Sequence, residues 1–198
     1  DLGLIHFAAL SDGETVEAPR HFRQSERVLR VQQRRVSRRK KSSRGCRKAR
    51  QLVSKTHERI ANRRKDFTHK LSTRLAEEFS LIALEDLNVK GLSRSMLAKS
   101  VNDAAWSQFV NQLKYKVQQT GAELVFVDPR YTSQVCSSCV CLVPKGLSIR
   151  IHDCPNCGLV LDRDVNAALN ILHSALGRSA DSITWAAAPC VLSEAVAL

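Results

Sequence analysis

Residues 132–172 read TSQVCSSCVCLVPKGLSIRIHDCPNCGLVLDRDVNAALNIL, and two features of that stretch decide how the rest of the chain is read. The first is a pair of knuckles, Cys136-x2-Cys139 and Cys154-x2-Cys157, separated by 14 residues. Knuckles at that distance can fold back and offer four thiolates tetrahedrally to one Zn²⁺, leaving no position open for water, so such a metal is structural. Gly158 directly follows the second knuckle, where it lets the backbone turn its N–H groups toward the sulfurs. A disulfide pair or free thiols are the alternative. Cys141, two residues after Cys139, is placed to compete as a ligand, whereas Cys46 and Cys190 lack partner spacing and read as spectators. The second feature is a helix start. After Asp162-Arg163-Asp164, the apolar positions Val165, Ala168, Leu169, Leu172 and Leu176 share one helical face, and Gly177 stops the run. On spacing alone Asp164 is a good N-cap for that helix.

Charge organises the first half of the chain. The 198 residues carry 31 Lys+Arg against 19 Asp+Glu, a net charge of +12. Between Arg20 and Arg74 there are 21 Lys+Arg and 3 Asp+Glu, so the whole excess sits in one segment. Such a balance points to a polyanionic partner, nucleic acid first and an anionic membrane surface second. The densest part includes Arg34, Arg35, Arg38, Arg39, Lys40 and Lys41. A solvated basic tail is the bland reading. Against it, Leu52, Thr56, Ile60, Phe67, Leu71, Leu75 and Phe79 fall at spacings of four or seven, the mark of a helix with one buried stripe. Its other faces carry Arg59, Arg63 and Arg64, a rail that would position phosphates without reading bases.

Elsewhere the pattern predicts a strand over 4–10, a turn at Ser11-Asp12-Gly13, a short strand over 15–17 and a weakly marked helix over 23–36. Buried strands are expected over 80–84 and 122–127, a loop over 88–100, and a helix with the stripe Trp106, Phe109, Val110, Leu113 and Val117 ending at Gly121. Trp106 and Phe109 fit that stripe and read as core rather than as base-stacking platforms. No stretch approaches the ~20 apolar residues of a membrane span, and no signal peptide is evident, so the expected compartment is the cytoplasm. The sequence begins with Asp rather than Met, as expected of a processed chain or a piece of a longer one.

Three acids stand out by position: Asp1 at the first strand, Glu85 at the end of a buried strand, and Asp164 at the last helix. Each has a plain reading, as a terminal residue, a solvated strand-end acid and a cap. If they converge, three carboxylates would bind hard divalent cations, and two such ions about 4 Å apart can activate water against a phosphodiester.

The ordered set Asp1-Leu2-Gly3-Leu4, Leu84-Glu85-Asp86-Leu87-Asn88, Thr132-Ser133-Gln134-x-Cys136-Ser137-Ser138-Cys139, Cys154-Pro155-Asn156-Cys157-Gly158 and Asp162-Arg163-Asp164-x-Asn166-Ala167-Ala168-x-Asn170 resembles the catalytic half of TnpB, the RNA-guided nuclease of bacterial insertion sequences also known as OrfB-type transposase. Type V CRISPR effectors share that module. The resemblance implies an α/β fold with an RNase H-like (RuvC) mixed sheet flanked by helices and an inserted four-cysteine zinc ribbon. It implies a nuclease core over residues 1–131 containing a basic helical segment 20–79, a zinc-ribbon insertion over 132–161, the last motif and helix over 162–177, and a tail over 178–198. Asp1, Glu85 and Asp164 match the family's three catalytic carboxylates, which hold Mg²⁺, and the basic segment would lie along a guide RNA or the guide–target DNA duplex. The expected setting is a bacterial or archaeal cytoplasm.

Two departures from the family pattern matter. The upstream residues that complete the first strand in the family are expected to be missing, which would leave Asp1 frayed and guided cleavage weak or absent. Val140 stands where the family usually has Gly after the first knuckle. The competing readings are a non-catalytic nucleic-acid-binding module, a DNA-strand transferase and a mobile-element remnant.

Overall fold

The computed structural model describes residues 1–146 and 148–177, which divide into two compact units. One unit is built from residues 1–18, 80–87 and, among the described residues, those from 122 onward; the other comprises 19–79 and 88–121. The helices of 19–79 and 88–121 pack on one another as a body of their own.

In the first unit, β1 (His6–Ala9) pairs antiparallel with β2 (Thr15–Glu17). The chain start pairs with the other edge of β1, through a Leu2–Ala8 bridge and the Gly3 N–H bond to the Phe7 carbonyl at 3.2 Å. The strands β3 (Leu81–Glu85) and β4 (Glu123–Val127) pair in parallel with Glu85 opposite Val127. A third antiparallel pair, β5 (Ile151–Asp153) and β6 (Val160–Asp162), belongs to the cysteine-bearing segment. The described strands therefore form three two-stranded sheets rather than the single mixed sheet expected. Both edges of β1 are already occupied, by β2 and by residues 1–3, so no ladder joins β1 to β3. The helix α6 (Arg163–Ala175) packs on β1, β3 and β4 through Ala167, Ala168 and Ile171, all at most 5% exposed.

The second unit is helical. It holds α1 (His21–Ser37), α2 (Arg44–Glu78), α3 (Val89–Leu92), α4 (Ala98–Ala104) and α5 (Trp106–Thr120). The region expected as a loop over 88–100 thus holds α3 and the start of α4, and α2 begins eight residues before the first stripe position, Leu52. Its early turns bury the small residues Cys46 and Ala49, while Leu52 is exposed. The Ser43 hydroxyl caps α2 by accepting from the Cys46 N–H. The α5 stripe is core as expected, with Trp106 and Phe109 buried, and Gly121 closes the helix in the left-handed conformation. Lys116 crosses from α5 to α2 and donates to the His69 carbonyl, Ser72 Oγ and Thr73 Oγ1. Its burial lowers the pKa, and those three acceptors satisfy the ammonium. Among the described residues no helix is long and apolar enough to cross a membrane.

Candidate functional site

The two knuckles close on each other. Cys136 Sγ lies 3.6 Å from Cys157 Sγ, and Cys139 Sγ lies 3.5 Å from Cys154 Sγ. A disulfide would put the sulfurs at about 2.05 Å. Sulfurs ~2.3 Å from one Zn²⁺ stand ~3.8 Å apart in a tetrahedron. All four ligand atoms fall within 4.8 Å of one another, and among the described residues no other set of three or more His, Cys, Asp or Glu does so. Val140 and Gly158 each follow the second cysteine of a knuckle with positive φ, 62° and 72°. Their N–H groups bond the Cys136 and Cys154 carbonyls at 2.9 Å, so both knuckles make the same turn. Burial pushes the Cys136 thiol up to about 12. Burial also raises Cys139, but hydrogen bonds from the Asn156 side chain, the Cys141 N–H and the neighbouring sulfurs outweigh it and bring that thiol down to about 6. Cys141 lies outside the quartet, and Cys46 is buried in α2, remote in sequence from both knuckles. Cys190 falls outside the described residues.

The helix α6 fastens the first knuckle. Asn166, fully buried, donates to the Val135 carbonyl at 2.8 Å and accepts from the Ser137 N–H at 3.0 Å. One turn on, Asn170 donates to the Thr132 and Val135 carbonyls at 2.8 and 2.7 Å. These amides satisfy backbone groups that no ladder reaches.

The same helix presents Asp164. The capping role expected of Asp164 belongs to Asp162, whose carboxylate accepts from the N–H groups of Asp164 and Val165 at 2.8 and 3.3 Å. The helix begins at Arg163, two residues earlier than the cap reading required, and the Asp164 carboxylate is released from capping. That side chain is 16% exposed and pairs at 3.8 Å with Arg150, itself half exposed. It packs against the chain start: a Cβ on Gly3 would stand 3.9 Å from Asp164 Oδ2 and 2.9 Å from the His6 carbonyl, a clash that favours glycine there. Asp1 is less loose than expected, because its N–H and C=O exchange bonds with Ala9 at 3.0 and 2.9 Å.

Glu85, at the end of β3, is not a solvated strand-end acid. It is half-buried and accepts from Thr132 Oγ1 at 2.6 Å. Burial raises its pKa, while the Thr132 bond opposes the rise. The Asp1 nitrogen lies within electrostatic reach of both Glu85 and Asp164. Among the described residues the three carboxylates do not form a group as close as that of the cysteines. Sequence alone does not mark Thr132 as a site residue. Its signal there is its place at the head of the Thr132-Ser133-Gln134-x-Cys136 motif, which assigns it no role.

The basic residues sort into two groups. Arg34, Arg35, Arg38, Arg39, Lys40, Lys41, Arg59 and Arg63 are exposed at the end of α1, in the turn that follows and along α2. Arg64 is instead drawn into the helical unit, where Nε and Nη2 donate to Asp103 Oδ1 at 3.1 and 3.0 Å. Asp103 also accepts from the Phe22 and Arg23 N–H groups, capping α1, whose own N-cap Arg20 offers no side-chain bond.

Residues 1–96 match the family model OrfB_IS605, described as "Probable transposase", and residues 106–171 match the "Cas12f1-like, TNB domain". A Streptomyces pristinaespiralis protein named "Putative RNA-guided DNA endonuclease" is 43% identical over 183 residues, covering 91% of this chain and 45% of its own. The Escherichia coli K12 protein InsQ, which carries the same description, is 33% identical over 189 residues, covering 87% of this chain and 47% of its own. The chain thus spans about half the length of these relatives. Among solved structures, the Cas12f1–sgRNA–target DNA complex superposes with a TM-score of 0.59 at 18% identity, over 86% of this chain and 47% of that one. A likeness at that identity speaks for the fold, a mixed α/β arrangement of the Cas12f kind.

Proposed function

The chain belongs to the TnpB family of OrfB-type proteins, and from that premise we propose that it is the catalytic half of an RNA-guided DNA endonuclease. The observation that carries the reading is the pair Glu85 and Asp164. Glu85 is half-buried with a hydrogen-bond donor on one oxygen, and Asp164 is relieved of capping by Asp162. The strand that ends at Glu85 and the helix that begins beside Asp164 pack on each other. Asp1, Glu85 and Asp164 would hold Mg²⁺, consistent with an oxygen-only donor set. When bound, the ions supply an activated water and neutralise charge at the leaving oxygen. The chain's own residues keep the acceptors in place: Thr132 holds Glu85, and Arg150 neutralises Asp164 until cations and phosphate arrive.

The cysteine quartet fits a structural Zn²⁺, and its thiolates leave no open ligand position. We assign the first unit to an RuvC-like core interrupted by the zinc ribbon at 132–161. The exposed cations of α1 and α2 would track the phosphates of a guide RNA or its duplex with target DNA. The solved Cas12f1 relative of this fold is a complex with sgRNA and target DNA, which supports that reading. The test is cleavage of end-labelled single-stranded DNA with Mg²⁺ by protein purified with its RNA, beside E85Q. Cleavage lost in E85Q with nucleic-acid binding retained supports the nuclease. Equal behaviour of the two proteins favours a binding module instead.

A further inference from the structure

We propose that Thr132 is a positioning residue for Glu85, through which the first zinc knuckle sets the cation-binding carboxylate; the inference rests on Glu85 being a cation ligand. Thr132 is 8% exposed, and its hydroxyl has two oxygens within reach, Glu85 Oε1 at 2.6 Å and the Pro129 carbonyl at 3.1 Å. A hydroxyl has one proton to give. The shorter contact, to a carboxylate, takes it, because charge-assisted bonds are the stronger. One Glu85 oxygen is thereby fixed and the other is left for a cation.

The backbone around Thr132 is held for that purpose. Tyr131, just before it, has φ 60°, a left-handed conformation unfavourable for a bulky side chain. Its carbonyl accepts from the Gln134 and Val135 N–H groups at 2.8 and 2.9 Å, closing a tight turn into the Cys136 knuckle. The Thr132 carbonyl is gripped by Asn170 on α6, the helix that also carries Asp164. Helix, knuckle and carboxylate are thus joined in one chain of bonds: Asn170 to Thr132 to Glu85. A residue serving only as a turn cap would direct its hydroxyl to the carbonyl three residues back. Here that contact is the longer of the two.

Val and Ser at this position separate the hydroxyl from the methyl. The measurement is Mn²⁺ affinity of the full chain by calorimetry, with zinc content recorded for each variant as a check on the ribbon. Thr132→Val, which keeps the shape and loses the donor, should weaken Mn²⁺ binding about tenfold or more, and Thr132→Ser should restore it. If Val binds Mn²⁺ like the parent, or if Ser is as weak as Val with zinc retained, the inference fails. The E85Q variant isolates the premise: Mn²⁺ affinity unchanged in E85Q overturns the cation-ligand reading itself, whatever Thr132 does. Loss in E85Q with no loss in Thr132→Val overturns only the role of Thr132.

Discussion

Exchanging the residues that close the two cysteine knuckles should move zinc affinity in opposite directions. Gly158 and Val140 occupy equivalent places, with φ of 72° and 62° and matching N–H bonds of 2.9 Å back to the first cysteine of each knuckle. A non-glycine residue in that conformation costs about 1–2 kcal/mol, with β-branched side chains at the upper end. Glycine returns roughly 0.5–1 kcal/mol of this through the greater freedom of the unfolded chain. A Cβ at Gly158 would meet nothing within 4 Å, so Gly158→Val adds no clash and carries only the conformational difference, about 1 kcal/mol. Val140→Gly relieves the same strain but gives up a half-buried isopropyl group, so its gain is smaller, a few tenths of a kcal/mol to about 1. In a ribbon this small, metal binding and folding are one equilibrium. Gly158→Val should therefore bind Zn²⁺ about fivefold more weakly, and Val140→Gly somewhat more tightly. Competition against a chromophoric chelator at fixed pH reads both. Parental affinity in Gly158→Val, or weakened affinity in Val140→Gly, would refute positive-φ strain as the difference between the turns.

Three further outcomes are expected. Burial raises the Glu85 pKa, so the stability this group contributes is present in full below its ordinary value and is lost as pH rises through the folded value. Without divalent cations E85Q should consequently melt at or above the parent at neutral pH, and added Mn²⁺ should raise the melting temperature of the parent alone; thermal scans across pH show both. Asp162→Ala removes the cap of α6 and should cost about 1 kcal/mol, read as a lower melting temperature. Arg63→Ala and Arg64→Ala, neighbours in sequence, should part company. Loss of exposed Arg63 should lower the salt slope of nucleic-acid binding by about one. Loss of Arg64 strands the buried Asp103 and should cost about 2–4 kcal/mol of stability instead.

The residues that differ most from their sequence reading share a physical cause: their roles depend on partners far away in the chain. The α5 helix was legible because a large apolar stripe recurs at helical period and a glycine ends it. The first turns of α2 were not, since the buried residues there are Cys46 and Ala49, too small to mark a stripe, and the signal was the cap Ser43. The cap read at Asp164 belongs to Asp162, because the helix starts two residues earlier than that reading required. The cysteine quartet was legible because spacing alone constrains four thiolates. Thr132 was not, because its partner Glu85 lies 47 residues away, and Arg64 looked like its exposed neighbours until Asp103, 39 residues on, claimed it.

Whether Glu85 and Asp164 share a cation is read from the anomalous scattering of Mn²⁺ in crystals of this chain soaked with the ion. A peak ligated by Glu85 and Asp164 is expected, with Arg150 moved off the Asp164 carboxylate. Peaks only elsewhere, with the Arg150–Asp164 pair intact, would contradict it.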